Sequence, residues 1–296
     1  MNEKIAGTKT SIVPKVIIYI LLILLLISIV VPVAWVFMAS IKQNTEFYGN
    51  PFALPQGVYL QNFVDAWTKA RMGDYFFYSV VITALSLFIL LLVALPASYV
   101  LSRYRFWGSK VLNTCFMAGL FINVSYIVVP IFLMFVSGDK IVKSMFGTTF
   151  FLNNPFVVAV VLASTTLPFT IYLLSGYLAT LPKDYEEAAY VDGAGYFTTM
   201  VRIILPMAKP SIITVILFEF LAYWNEYIIS MTMLTDPNGA RTLPVGLLNL
   251  MKAQNAKAEY GQMYAGMVMV MLPTLILYMC VQKKLTQGMT LGGLKG

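Results

Sequence analysis

Histidine is absent from the 296 residues. That removes imidazole-based catalytic triads and histidine metal sites. Cysteine is nearly absent: Cys115 and Cys280 are the two, and both stand inside apolar runs, where they read as free, buried thiols rather than a disulfide. Charge is scarce as well. Asp, Glu, Lys and Arg make up 11% of the chain, against about 25% in a soluble domain. No glycine-rich phosphate loop occurs, so the chain itself is not expected to bind ATP. The net charge of +7 comes without a basic run or basic face. That leaves nucleic acid without a footprint and fits charge placed at a membrane surface.

What is abundant is apolar sequence: 59% of residues are hydrophobic and mean hydropathy is +0.78. So much apolar surface needs lipid as its solvent. Six runs are long enough to cross a bilayer as helices: Val16–Ala39, Tyr75–Leu101, Val111–Val136, Pro155–Tyr177, Ser211–Leu234 and Gln262–Val281. The first would reach roughly 36 Å, longer than a signal-peptide core, and reads as a retained span. The expected fold is therefore an all-α integral membrane protein: residues 1–15 as a cytoplasmic N-terminus, 16–282 as a six-span unit, and 283–296 as a cytoplasmic tail. With the N-terminus inside, the inner segments hold twelve Lys/Arg and the outer segments eight, the sense of the positive-inside rule. The outer segments 41–74 and 235–260 have turn composition and suit either contact with an external partner or simple connection.

The inner connection between spans four and five, residues 182–210, departs from the pattern. Pro182 and Asp184 suit a helix start, with Asp184 as cap and Glu186 and Glu187 at the positive dipole end. Ala188 and Ala189 keep that helix slim enough for another protein's backbone to come close. Gly193 stops or turns it. A second short helix follows from Tyr196, with Phe197, Met200, Val201 and Ile204 at helical spacing, and Pro206 and Pro210 close it. On physics alone this is a bent pair of short helices, which also suits a plain interfacial turn.

The residues here resemble a family. Glu187-Ala188-Ala189, three residues, Gly193, nine residues, Ile203, one residue, then Leu205-Pro206 is similar to the EAA signature of ABC-importer permeases. The resemblance implies a coupling helix seated on a cytoplasmic ATPase, with Glu187, Ala188, Ala189, Asp192, Gly193, Ile203, Leu205 and Pro206 as its residues. Leu167-Pro168-Phe169, Asp192-Gly193-Ala194, Trp224-Asn225-Glu226, and Arg241-Thr242-Leu243-Pro244-Val245-Gly246 look like the carbohydrate branch of that family. The tail Gly292-Gly293-Leu294-Lys295-Gly296 is similar to that of the maltose-type permeases. Gly292, Gly293 and Lys295 would then enter between two ATPase subunits, or form a frayed end.

The resemblance implies one half of a sugar pore in the cytoplasmic membrane of a prokaryote, both termini inside. It implies a second, different permease subunit, two ATPase subunits and an extracytoplasmic solute-binding protein as partners. ATP and Mg would belong to the ATPase, with no cofactor in this chain and no covalent chemistry. A non-sugar solute such as a polyamine or a phosphate ester stays open, because the coupling signature is shared across substrates, and the ionisable Glu219 and Glu226 within a span keep a secondary transporter as a further alternative. The candidates for a substrate path are Asn123, Ser125, Glu219, Trp224, Asn225 and Glu226, with Thr165 and Thr166 weaker. Glu219 and Glu226 stand seven residues apart, roughly on one helical face. An aromatic ring beside hydrogen-bonding groups suits a sugar. The same residues also suit helix-to-helix packing, the commoner use.

Overall fold

The apolar runs form helices in the computed structural model, which describes the backbone of residues 12–48, 50–257 and 259–293 and the side chains of 15–48, 50–253 and 259–282. Five helices are long and apolar enough to cross a membrane, and a bent pair makes a sixth. In chain order they are α1 (Ile12–Ser40), short α2 (Asn44–Tyr48) and α3 (Gln61–Thr68), α4 (Met72–Arg103), α5 (Ser109–Gly119), α6 (Val124–Phe146) and α7 (Pro155–Thr180). Then follow α8 (Asp184–Val191), α9 (Tyr196–Thr199), a π-helical turn Met200–Ile204, α10 (Leu205–Met207), α11 (Lys209–Trp224), α12 (Ile228–Met233), α13 (Leu243–Lys257) and α14 (Tyr260–Gly293).

The centre is α4 packed along α7, with α11 against both. Small residues recur along the buried face of α4: Ser79, Thr83, Ser86, Ala94 and Ser98. Lacking bulk, they let a neighbouring backbone approach, as suits helices that associate in lipid without a hydrophobic drive. Ile82 and Leu90 interdigitate with Val158, Leu162, Ile171 and Leu174 of α7 and with Val215 of α11. At the other extreme, no residue of α1 between 15 and 38 is buried. It packs beside α14 and is apolar all round, so the rest of its surface requires lipid or another chain.

Two of the expected spans are broken, and each break has a polar cap. The run 111–136 is not one helix: α5 ends at Gly119 and α6 begins at Val124. Asn123, in extended conformation, accepts the Ser125 N–H on its side-chain oxygen at 2.9 Å and so restarts the helix. The run 211–234 breaks after Trp224, and α12 starts at Ile228. The Glu226 carboxylate receives the N–H groups of Ile229 and Ser230 at 2.6 and 3.1 Å and the Ser230 hydroxyl at 2.8 Å. Glu219 and Glu226 therefore do not share a face, since the helix that would align them ends between them. Cys115 and Cys280 are free, but both are exposed rather than buried, on outward faces of the bundle.

At the end of the bundle remote from residues 182–210, the short helices build a folded cap. Lys42 is fully buried there. Its ammonium donates to the Pro51 carbonyl at 2.8 Å and to that of Ala53, and lies 4.5 Å from the Trp35 ring centre. Asn62 donates to the carbonyls of Ser40 and Lys42, tying α3 to the end of α1. Gly246 of α13 lies flat on Tyr75, where a β-carbon would sit 2.1 Å from the ring.

Candidate functional site

The 182–210 segment folds as a bracket of two short arms on one end of the bundle. Its first arm is α8. Asp184 is the first helical residue rather than its cap; the cap position is Lys183, which makes no side-chain capping bond. The helix ends in a full Schellman closure: Ala194 N–H reaches the Ala189 carbonyl at 2.9 Å and Gly193 N–H that of Tyr190 at 3.0 Å. Gly193 has φ +79°, a left-handed conformation that glycine adopts without the β-carbon penalty. The second arm runs continuously from Tyr196 to Met207 through the π turn, in which Leu205 N–H reaches back to the Met200 carbonyl. Pro206 has no N–H to give, so the widened turn accommodates it. A bend of 75° at Ala208 then joins α11.

The bracket has an inner and an outer side. Ala189, Thr199, Met200 and Ile204 are buried. Ile203 and Leu205 pack with Met200, Ile204 and Ala208 against Tyr99 and Leu178 of the bundle. Ala189 thus lets α8 approach its own bundle, not a foreign backbone. Phe197 and Val201, expected on the apolar side, are exposed, while Met200 and Ile204, an i, i+4 pair, face inward. Glu187, Ala188, Val191, Asp192 and Gly193 face outward, Val191 at 88% exposure. Among the described residues, the side chains of Glu187 and Asp192 make no hydrogen bond or ion pair, so the outward side of α8 presents one apolar side chain between two acids.

Arg103, at the C-terminus of α4, clamps the bracket. Its Nε donates to Glu186 Oε1 at 3.1 Å, and its terminal nitrogens donate to the carbonyls of Leu181 at 2.8 Å and Pro182 at 3.2 Å. Both side chains are nearly dry, at 3% and 10% exposure. Beside the clamp, Tyr104 and Tyr190 share a hydroxyl hydrogen bond of 2.7 Å, and Tyr99 lies 3.3 Å from Tyr104. Burial, then the Tyr190 bond, pushes the Tyr104 hydroxyl up to about 12, so it stays protonated and can donate. No reading of the sequence paired Arg103 with Glu186. Arg103 shows there only as one of several basic residues at a span's end.

The path candidates are divided. Glu219 is buried between α11 and α7 and accepts from Thr170 at 3.1 Å. Trp224 is buried too, its indole N–H given to the Val270 carbonyl at 3.0 Å and its ring stacked on Phe220. Asn225 donates to the Leu221 carbonyl at 2.8 Å. Around the break that Asn225 and Glu226 make lies a cavity of 260 Å³, walled by Val124 at the start of α6, by Thr165 and Thr166 of α7, and by Tyr223 and Tyr227. Asn123 and Ser125 are exposed next to it in the chain, and Glu219 and Trp224 stand outside its wall. Tyr223 and Tyr227 join the wall without having been singled out in the sequence, although their i, i+4 spacing was a signal that could have paired them. Of the tail, Gly292 and Gly293 continue α14, while Lys295 lies outside the described residues.

Comparison with known proteins covers most of this architecture. Residues 91–291 match the family described as "Binding-protein-dependent transport system inner membrane component". The diacetylchitobiose uptake system permease protein NgcG of Streptomyces coelicolor is 31% identical, over 92% of this chain and 86% of its own. The trehalose/maltose transport system permease protein MalG of Thermococcus litoralis is 28% identical over 97% and 99%. Among solved structures, a chain of a bacterial ABC transporter involved in import of the acidic polysaccharide alginate shares the fold. Its TM-score is 0.74 and its identity 20%, over 95% of this chain and 99% of that one.

Proposed function

Because the chain belongs to the binding-protein-dependent transport inner-membrane family, we propose that it forms half of the translocation path of an ATP-driven importer for a sugar or oligosaccharide. It is a multi-pass permease of the cell membrane. The observation that carries the mechanism is the bracket's outer side: an exposed Val191 between Glu187 and Asp192, on a helix that Arg103 ties to the bundle. In this reading the face of Glu187, Ala188, Asp192 and Gly193 docks on a cytoplasmic ATPase subunit. ATP and Mg are held there, and hydrolysis happens there. Ala189, Ile203, Leu205 and Pro206 pass the motion inward. A second, different permease subunit completes the pore, a second ATPase subunit docks on it, and a solute-binding protein delivers substrate from outside.

Alternate access requires that the substrate bind the two states of the pore unequally. The cavity between the α6 start and the α11–α12 break is the place in this chain where a polar solute would meet hydroxyls and rings. Sugar is supported by relatives named for diacetylchitobiose and trehalose/maltose transport. The test is uptake by cells carrying the whole system. Glu187→Ala and Gly193→Val should each abolish uptake while the protein stays inserted and the binding protein still captures its ligand. Uptake that survives both changes overturns the docking assignment. Uptake of a polyamine or a phosphate ester, and of no sugar across a panel, overturns the substrate class.

A further inference from the structure

Beside the bracket, on the turn from α4 to α5, lies a second and larger cavity of 1030 Å³. Arg105, Lys110 and Lys183 line it together with Ser109 and Asn113, Arg103 closes its rim, and no Asp or Glu contributes to the wall. Arg103 is engaged with Glu186, but the side chains of Arg105, Lys110 and Lys183 make no hydrogen bond or ion pair among the described residues. Three unpartnered cations around one space, without a counter-charge, repel one another and raise the local potential. Such an arrangement is relieved by an anion.

The surroundings say which anion. The turn directly follows the C-terminal end of α4, a helix long and apolar enough to span the membrane, so it stands at the level of lipid headgroups. Trp107 beside it is fully exposed, and Val111 and Leu112, at 65% and 44% exposure, continue an apolar outer surface up α5, which has no buried residue. An exposed indole between two lining residues, Phe106 and Gly108, and bare aliphatic side chains leading away from a basic cavity match a molecule with a phosphate head and acyl chains. A free phosphate would use only the cations and leave the apolar flank unexplained.

We infer that the cavity between the α4–α5 turn and Lys183 binds the phosphate headgroup of an anionic phospholipid of the inner leaflet. The inference goes beyond the importer assignment and rests on it only for orientation. Since Lys183 immediately precedes α8 and Arg103 holds Glu186, a bound headgroup fastens the bracket to the turn from a second direction.

The experiment measures thermal unfolding of the detergent-purified transporter containing this chain, with added phosphatidylglycerol, phosphatidylcholine or inorganic phosphate. Phosphatidylglycerol should raise the midpoint, and phosphatidylcholine should not. Arg105→Gln/Lys110→Gln/Lys183→Gln should abolish the shift, with binding weaker by about fivefold per cation removed. Should the triple variant not assemble, Lys110→Gln and Lys183→Gln singly should each weaken binding by that factor, read by native mass spectrometry. A triple variant that responds like the parent overturns the site. An equal shift from inorganic phosphate alone overturns the lipid. An unchanged lipid shift with loss of the ATPase subunit from the triple variant assigns the cations to that subunit and likewise overturns the inference. Uptake in sugar-free controls plays no part in these readouts, so failure here leaves the importer assignment standing.

Discussion

Arg103 shows how one residue can serve a whole element. Its guanidinium donates to Glu186 and to the Leu181 and Pro182 carbonyls just past the end of α7, and the Arg103–Glu186 pair itself is nearly dry. Removing it leaves a buried carboxylate alone, and breaking such a pair costs about 3–5 kcal/mol. Arg103→Met should therefore lower thermal stability more than Glu186→Gln, which leaves the carbonyl bonds in place. Arg103→Met/Glu186→Met should recover part of the loss, because the orphaned charge is gone. A double variant as unstable as the sum of the two singles would show the pair to be uncoupled. Lysine is a poor substitute, since a single ammonium cannot span three acceptors in fork geometry.

At the scale of elements, breaks matter as much as helices. The polar residues inside apolar runs, Asn123 and Glu226, act mainly on backbone: each restarts a helix that the chain has interrupted. In the proposed transport path they would act through the space their breaks open, the cavity beside Val124 and Tyr227. The cap around Lys42 depends on another kind of element contact. Gly246 meets Tyr75 so closely that an added methyl must push α13 away from α4. Gly246→Ala should cost about 1–3 kcal/mol, and Gly246→Ala/Tyr75→Leu should regain most of it in the same thermal melt. Gly176, which has open space around its α-carbon, is the control: Gly176→Ala should be neutral or slightly stabilising.

For the whole molecule, the decisive quantity is exposed apolar surface. From Val16 to Val31 the side chains of α1 stand about half exposed, and Phe121, Tyr126 and Val129 do the same on the α5–α6 side. A chain with these faces is stable only in lipid or against another subunit. The two ends differ: one carries the bracket, the other the Lys42 cap. With the bracket cytoplasmic, Phe197→Cys should react with a membrane-impermeant maleimide only in inverted vesicles, and Phe52→Cys only in intact cells, read in a Cys115→Ser/Cys280→Ser background. The reverse labelling would invert the orientation drawn from the Lys/Arg distribution.

The residues themselves already encode the membrane class, the helical spans, the bent segment 182–210 and the turn at Gly193. Each of these follows from hydropathy or from hydrogen bonds a few residues long, and such information is local. The tertiary structure alone decided that Ala189 looks inward and Val191 outward, that two spans break, and that Arg103 meets Glu186. The last pair stands 83 residues apart in the chain. Their meeting depends on how α4 lies along α7, which is a property of packed surfaces and is written at no single position.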